Sequence, residues 1–366
     1  MPGKRQLVNV EPLTTLRSHS QRRTGFLAEQ YRAAAIGRTG AGNYGHGLHI
    51  AYASIDNVDF IAVADADEAG RGQAREQTGA TRAYADFRDM LAAETPDLVS
   101  VCPRWTDCHL EMVIACLESG AHVYCEKPMT WNLADGDVIV SRADALGRKV
   151  AVAHQAVYLP RIQQLRVLLR EGRIGQVQQI HAHGKQDRRG GGEDMITLGT
   201  HLFNMMRYFA GDVSWMSGHV TVDGRELELG DVGEATEPVG PVAGDCVEAY
   251  YAFDSGVAGF FDSRRDQAGS SQRYGMEIVG SEGTISSYDY EETIKVQTRA
   301  HPEGEERPVD VLEKPFQNPV QYVIHCIEAG QPIEGPLSPE MCRVGQQIVD
   351  TACQSAVEKR TLPLVQ

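Results

Sequence analysis

The stretch RAAAIGRTGAGNYG, residues 32–45, decides the fold. A short apolar run closes on Gly37, and residues 40–45 then satisfy G-x-G-x-x-G. A continuous apolar run of this length reads as a strand buried on both faces of a parallel sheet. Glycines must follow it because the turn needs unusual dihedrals and its backbone must approach a pyrophosphate closely. The next segment, NYGHGLHIAYAS (43–54), reads as a helix whose N-terminus offers free N–H groups and a positive dipole end to that anion. Twenty residues past Gly45, Asp65 ends a second apolar run, VDFIAVAD (58–65). A carboxylate there accepts both adenosine ribose hydroxyls and repels a 2′-phosphate. The plainer reading makes Asp65 a helix cap and the glycines an ordinary turn. NAD is expected; NADP stays open because Arg38 or Arg71 could reach a 2′-phosphate.

Outward from that loop, strands and helices alternate as far as KVAVAHQ (149–155), the pattern of a doubly wound parallel sheet. Beyond about residue 172 the period changes. QVQQIHAHGK, SWMSGHVTVDG, CVEAYYAFDSGVAGFFDSRR, YGMEIVGSEGTISSYD and TIKVQTRA are strands joined by Gly, Asp and Ser turns. A helix at about 194–210 interrupts them, and helices at 317–330 and 338–358 close the chain. The fold class is therefore α/β: an N-terminal Rossmann sheet plus a C-terminal α/β domain with a large, mostly antiparallel open sheet. The expected division is an arm at 1–30, a dinucleotide-binding domain at 31–155, a substrate and oligomerisation domain at 156–335, and a C-terminal helix at 336–366 packing back on the first domain.

The 366 residues suffice for two packed domains, and 42 % hydrophobic with 23 % charged residues is a globular balance. Thirty-five Lys and Arg against 50 Asp and Glu leave a net charge of −15, which repels nucleic acid and anionic membranes. No stretch approaches the ~20 apolar residues of a membrane span. The eight cysteines form no C-x-x-C pair, and several lie in apolar runs, as Cys116 does in MVIACL. Reduced thiols in a cytoplasmic protein are expected. QRRTGFL (21–27) looks like a twin-arginine signal, but the apolar segment that should follow is interrupted by AEQYR.

Glu126-Lys127-Pro128 follows the strand HVYC (122–125), at the carboxyl edge where α/β sheets bind ligands. A lysine there could hold a substrate hydroxyl and help move its proton, unless it is merely a surface ion pair. Together with the glycine loop, Asp65 and VSVCPRWTDCH (99–109), this segment resembles the Gfo/Idh/MocA family of sugar oxidoreductases, from residue 32 to about 360. The resemblance implies assembly into homodimers or homotetramers through the open sheet, with Lys127 near the nicotinamide and the reacting hydroxyl. It implies a cofactor site built from Gly37, Thr39, Gly40, Gly42, Asn43, Tyr44 and Asp65, then Cys102, Pro103, Arg104, Trp105 and His109, then Glu126, Lys127 and Gln155. Val157 stands where a basic residue is usual.

GGGEDMITLGTHLFNMMRYFAGD (190–212) resembles the family helix that carries an aspartate and a histidine facing the lysine. His201 matches the histidine, but Thr197 stands at the aspartate, and a hydroxyl cannot serve as base. Asp194, Thr197 and His201 are spaced i, i+3, i+7 and would share one helical face, so Asp194 is a candidate replacement; otherwise it caps the helix. A neutral imidazole with a pKa near 7 at His201 would suit general-base chemistry. Lys127, His201 and Asp194 are thus the catalytic candidates. Tyr158, Arg161, Lys185, Arg188, Thr197 and His201 are the candidates for substrate binding. The cations at 185–189 would suit an anionic substrate group or form only a charged turn. His181 and His183 lie far from any cysteine, and no metal is expected. The leading reading is NAD-dependent hydride transfer at a secondary hydroxyl of a sugar or polyol. The alternative is a redox-neutral NAD-dependent glycosidase.

Overall fold

The computed structural model describes residues 30–267, 273–289, 293–307 and 317–364. All but the last residue of the expected arm, with its arginine pair, lies outside them. The first domain is a sheet of β1 (Tyr31–Ile36), β2 (Val58–Ala64), β3 (Arg82–Tyr84), β4 (Leu98–Val101), β5 (His122–Cys125) and β6 (Val150–Val152). Its order is β3-β2-β1-β4-β5-β6, and every pairing is parallel. Helices cover both faces, so Ala33–Ile36 and Leu98–Val101 are buried without alternation. Strand order reverses between β1 and β4, and the crevice that opens there receives the glycine loop and the segments after β4 and β5.

One expected element is absent. The helix read at 43–54 is only a 3₁₀ stretch, Gly45–Ile50, broken at His46 (φ 44°) and Gly47 (φ 68°). Asn43 is also left-handed, at φ 54°. Three residues of this conformation within five cannot continue a right-handed helix. The glycine loop is therefore followed by an irregular turn and not by the N-terminus of a long helix.

The second domain is built on a ten-stranded sheet. Its order runs Glu305–Arg307, Ile294–Thr298, Gly283–Tyr288, Gly275–Gly280, Val177–His183, Ala258–Arg264, Cys246–Phe253, Val213–Val222 and Leu362–Pro363, with Arg225–Glu226 paired beside Val213–Val222. Among the described residues only the Val177–His183/Ala258–Arg264 pairing of this sheet is parallel; the rest are antiparallel. Alternation is clear: Val247, Ala249, Tyr251 and Phe261 face the helices and are buried, while Tyr250 and Phe260 face the other way.

The helix expected at 194–210 spans 192–210, but residues Met195–Gly199 form a π turn inside it. The last long helix, Pro339–Glu358, lies between the two domains. Its Arg343 pairs with Asp137 of the first domain at 2.7 Å, and its Met341 carbonyl accepts from Arg207 at 2.9 Å. Gly345 lets it approach Asn204, where a Cβ would sit 3.0 Å from the amide oxygen. One hydrophobic cluster runs from Ala33 and Leu48 through Tyr124 and Ile162 to Ile180 and Phe203, so the domains share a core. That shared core fixes the cleft between them.

Candidate active site at the domain junction

The glycine loop is a strained backbone turn pinned to the segment after β4. Gly40 (φ 80°) faces open space, with nothing within 4 Å of a built Cβ. Gly42 (φ 96°) is the opposite: a Cβ there would lie 2.7 Å from the amides of Arg104 and Trp105. Arg104 N donates to Gly42 O (3.1 Å) and Gly45 N to Cys102 O (2.8 Å), which lock the two segments together. Asn43 holds the turn by accepting Gly40 N at 2.9 Å, and the Tyr44 ring lies against Gly37.

Asp65 is buried at the end of β2 and accepts from Thr39 N (3.0 Å), Thr39 Oγ1 (2.7 Å) and Asp67 N (3.0 Å). It does not cap the helix Glu68–Thr78; Asp67 does, accepting Gly70 N at 2.7 Å. Arg38 grips both oxygens of Asp107 at 2.7 and 2.8 Å, and Arg71 donates to the Asp65 carbonyl at 2.6 Å. Both cations are thus engaged by groups of this chain.

Lys127 is buried, and its Nζ donates to the carbonyl of Thr197 at 2.7 Å, a bond across the two domains. Beneath it Glu126 is fully buried, accepting the Lys127 amide at Oε2 and pairing with His46 Nδ1 at Oε1. Two imidazoles complete the group. His201 and His154 meet edge to face with centroids 4.6 Å apart, and Nδ1 of each lacks a hydrogen-bond partner. Burial lowers the Lys127 pKa, with Arg104 and Arg189 adding to it; Glu126 and Glu237 oppose them. Burial drives His154 down to about 3 and His201 well below its ordinary value, with neighbouring positive charge from Lys127 contributing to both. Both rings are neutral at physiological pH. His201 is therefore a weaker base than a pKa near 7 would make it.

The cofactor-side segments are held from behind. His109 lies within 2.7 Å of Pro103 O and 3.0 Å of Met129 O, so one ring ties the loop after β4 to the loop after β5. Cys102 is buried with its thiol on Ser100 O, and Trp105 precedes a 3₁₀ turn, Thr106–Cys108. Gln155 opens another 3₁₀ turn, Gln155–Tyr158, directly after His154.

The structure separates Asp194 from this group. The π turn closes its backbone bonds at i→i+5 where an α-helix closes them at i→i+4, so each residue turns the chain less and Asp194 leaves the face of His201. Its carboxylate accepts from Ser263 Oγ (2.5 Å) and Gln186 N (3.1 Å), and burial raises its pKa. It does not cap the helix either: it stands one turn inside, before the π turn, and makes no side-chain cap bond there. Thr197 turns its hydroxyl back to Glu193 O (2.9 Å) and offers Lys127 only its carbonyl. Tyr158 is buried, its ring 5.7 Å from that of Tyr322, and Arg161 is bound to Tyr288 O and Asp289. Lys185 sits 4.0 Å from Asp187, and Arg188 donates to Thr236 Oγ1 at 3.1 Å. Sequence reasoning missed His154, His46 and Glu237. His154 had a signal, as the residue next to Gln155 at a β-strand's carboxyl end; Glu237 had none, lying in an aperiodic stretch.

Comparison with known proteins follows the same division. Residues 34–154 match the family model described as an oxidoreductase family with an NAD-binding Rossmann fold, and residues 162–286 match the GFO/IDH/MocA C-terminal domain. The chain is 29 % identical over 255 residues to myo-inositol 2-dehydrogenase of Thermotoga maritima, covering 67 % of this chain and 72 % of that one. It is 24 % identical over 298 residues to levoglucosan dehydrogenase of Pseudarthrobacter phenanthrenivorans, covering 72 % and 75 %. In fold it matches an oxidoreductase from Agrobacterium radiobacter, solved with NAD+, L-tartaric acid and magnesium (TM-score 0.71, 18 % identity, 91 % of this chain and 98 % of that one).

The Gly42 contact yields a direct check on the cofactor loop. Gly42→Ala places a Cβ against two backbone amides and imposes about 1–3 kcal/mol of backbone strain. NAD affinity, read by titration calorimetry, should fall by about tenfold or more while the far-UV spectrum is unchanged.

Proposed function

The chain belongs to the GFO/IDH/MocA family of NAD-binding oxidoreductases, and from that premise we propose that it transfers hydride between NAD and a secondary hydroxyl of a carbohydrate or polyol. The observation that carries this reading is the buried Lys127, oriented by the Thr197 carbonyl beside two neutral imidazoles at the carboxyl end of β5. The relatives named above act, by their names, on myo-inositol and levoglucosan, both rich in secondary hydroxyls. Both are dehydrogenases, so the glycosidase alternative draws no support from them.

Gly40, Gly42, Asn43 and Asp65 would hold the dinucleotide, with the segment Cys102–Trp105 behind it. Bound NAD supplies the hydride acceptor. The chain's own residues handle the proton. The lowered pKa of Lys127 brings its neutral amine toward physiological pH, where a base is most effective. With one N–H held by Thr197 O, its lone pair can be directed at a substrate hydroxyl. His201, neutral, orients that hydroxyl by hydrogen bonding, and His154 packs edge-on to hold the ring. The proton passes from the hydroxyl to Lys127 Nζ as the carbonyl forms.

We further place the protein in the cytoplasm and assign assembly to the open sheet. All eight cysteines are free, and among the described residues no helix is long and apolar enough to cross a membrane. Trp215, Tyr250, Phe260 and His181 form an aromatic row across four adjacent strands, at 5.3, 5.4 and 4.6 Å, on the face turned away from the helices. A row of this kind suits a second copy of the sheet. Tyr250→Arg should shift the mass measured by light scattering to that of a monomer, and an unchanged mass would exclude this face.

Lys127→Ala should reduce kcat by about 10²–10⁴-fold, with NAD affinity retained within a few-fold. In the wild type, protonated Lys127 is inactive as a base. The rate of substrate oxidation therefore rises with pH, through a midpoint below the ordinary lysine value of 10.5. Full turnover by Lys127→Ala would overturn the catalytic assignment.

A further inference from the structure

The reaction centre holds an excess of positive groups for which its own helix supplies no carboxylate. Lys127 is faced by Arg104 from the segment after β4, by Arg189 from the loop after the strand Val177–His183, and by the rings of His154 and His201. The helix 192–210 begins with two carboxylates, and both are committed elsewhere. Glu193 accepts from Thr236 N (3.0 Å) and Thr236 Oγ1, and Asp194 is bound to Gln186 and Ser263. The negative groups felt by Lys127 are Glu126 below it and Glu237.

Glu237 arrives on a segment that belongs to neither sheet. Residues 228–243 leave the edge of the large sheet, form a small hairpin of Gly233–Glu234 with Pro241–Val242, and cross the mouth of the cleft. The crossing is anchored at both sides. On the cofactor domain, Pro238 O accepts from Thr106 N (3.3 Å) and Thr106 Oγ1 (3.4 Å), and Gly240 abuts Trp131, where a Cβ would sit 3.0 Å away. On the sheet domain, Thr236 binds Glu193 and Arg188. Val239, 1 % exposed, sinks into the shared core and sets the depth of the strap. At its centre, Glu237 Oε2 meets Arg104 Nη2 at 2.5 Å and Oε1 lies 3.8 Å from Arg189 Nη1.

We propose that Glu237 is a positioning residue of the reaction centre: carried on this strap, it joins Arg104 of the cofactor domain to Arg189 of the sheet domain and supplies the negative charge that balances them beside Lys127. The inference rests on the assignment of Lys127 as the proton-handling group. Without Glu237, Arg104 loses its carboxylate and Arg189 keeps only Asp187, at 2.9 Å, so more positive charge faces a buried amine and its ammonium form is disfavoured further. A purely structural clamp would alter stability and KM but leave the titration of Lys127 where it was.

The test uses the full chain with Glu237→Gln and Glu237→Asp. Two readouts are taken: kcat/KM against pH, and the titration of the Lys127 ε-amine by NMR of lysine-labelled protein, its signal assigned with Lys127→Arg. The midpoint in Glu237→Gln should move to lower pH by about 0.5–1 unit in both readouts, and Glu237→Asp should stay close to wild type. An unmoved midpoint in Glu237→Gln, or equal shifts in the two variants, would overturn the proposal. The NMR readout needs no turnover. A shifted titration in a protein that oxidises no sugar or polyol would sink the functional reading and leave the role of Glu237 intact.

Discussion

The bond from Lys127 Nζ to the Thr197 carbonyl, 2.7 Å long, is the constraint on which the site depends. It places an amine from the Rossmann sheet in the grip of a helix from the second domain. Burying an ammonium costs several kcal/mol unless partners compensate. Here a carbonyl takes one N–H, Glu126 lies immediately below, and Glu237 stands across the cleft among the arginines. The compensation is partial, and the remainder appears as a lowered pKa, the property a general base near neutral pH requires. The carbonyl is presented to Lys127 by the π turn at 195–199, and π turns inside helices are frequent at functional sites.

Much of this was legible in the sequence, for physical reasons. Buried parallel strands announce themselves as unbroken apolar runs, so β1, β2, β4, β5 and β6 and the helices that follow β2, β4 and β5 could be read directly. Strand β3, three residues long and largely exposed, carries too little pattern. The helix expected at 43–54 failed because Asn43, His46 and Gly47 take left-handed dihedrals, in a turn that Gly42 and Gly45 tie through backbone bonds to Arg104 and Cys102. Asp194 was placed on the wrong face because helical spacing assumes 3.6 residues per turn, and the π turn breaks that assumption. Glu237 lies 133 residues from Arg104, in a stretch with no period, and only the folded chain brings them together.

The net charge of −15 describes the surface as a whole and not the cleft. Lys127, Arg104 and Arg189 converge there, and each is met by carboxylates of this chain: Glu126, Glu237 and Asp187. Arg38 and Arg71, which by type alone would have suited a 2′-phosphate, are spent on Asp107 and on the Asp65 carbonyl. An acidic protein thus presents a locally balanced cleft, with its buried amine among paired charges.

The central claim, that this centre moves hydride from a secondary hydroxyl to NAD, is tested most directly by incubating the full chain with NAD and a panel of sugars and polyols and following the absorbance of the reduced nicotinamide. NADH should form in proportion to the substrate oxidised, faster as pH rises toward the Lys127 midpoint. Tight NAD binding with no NADH from any member of the panel, or release of an aglycone from aryl glycosides with no net NADH, would contradict it.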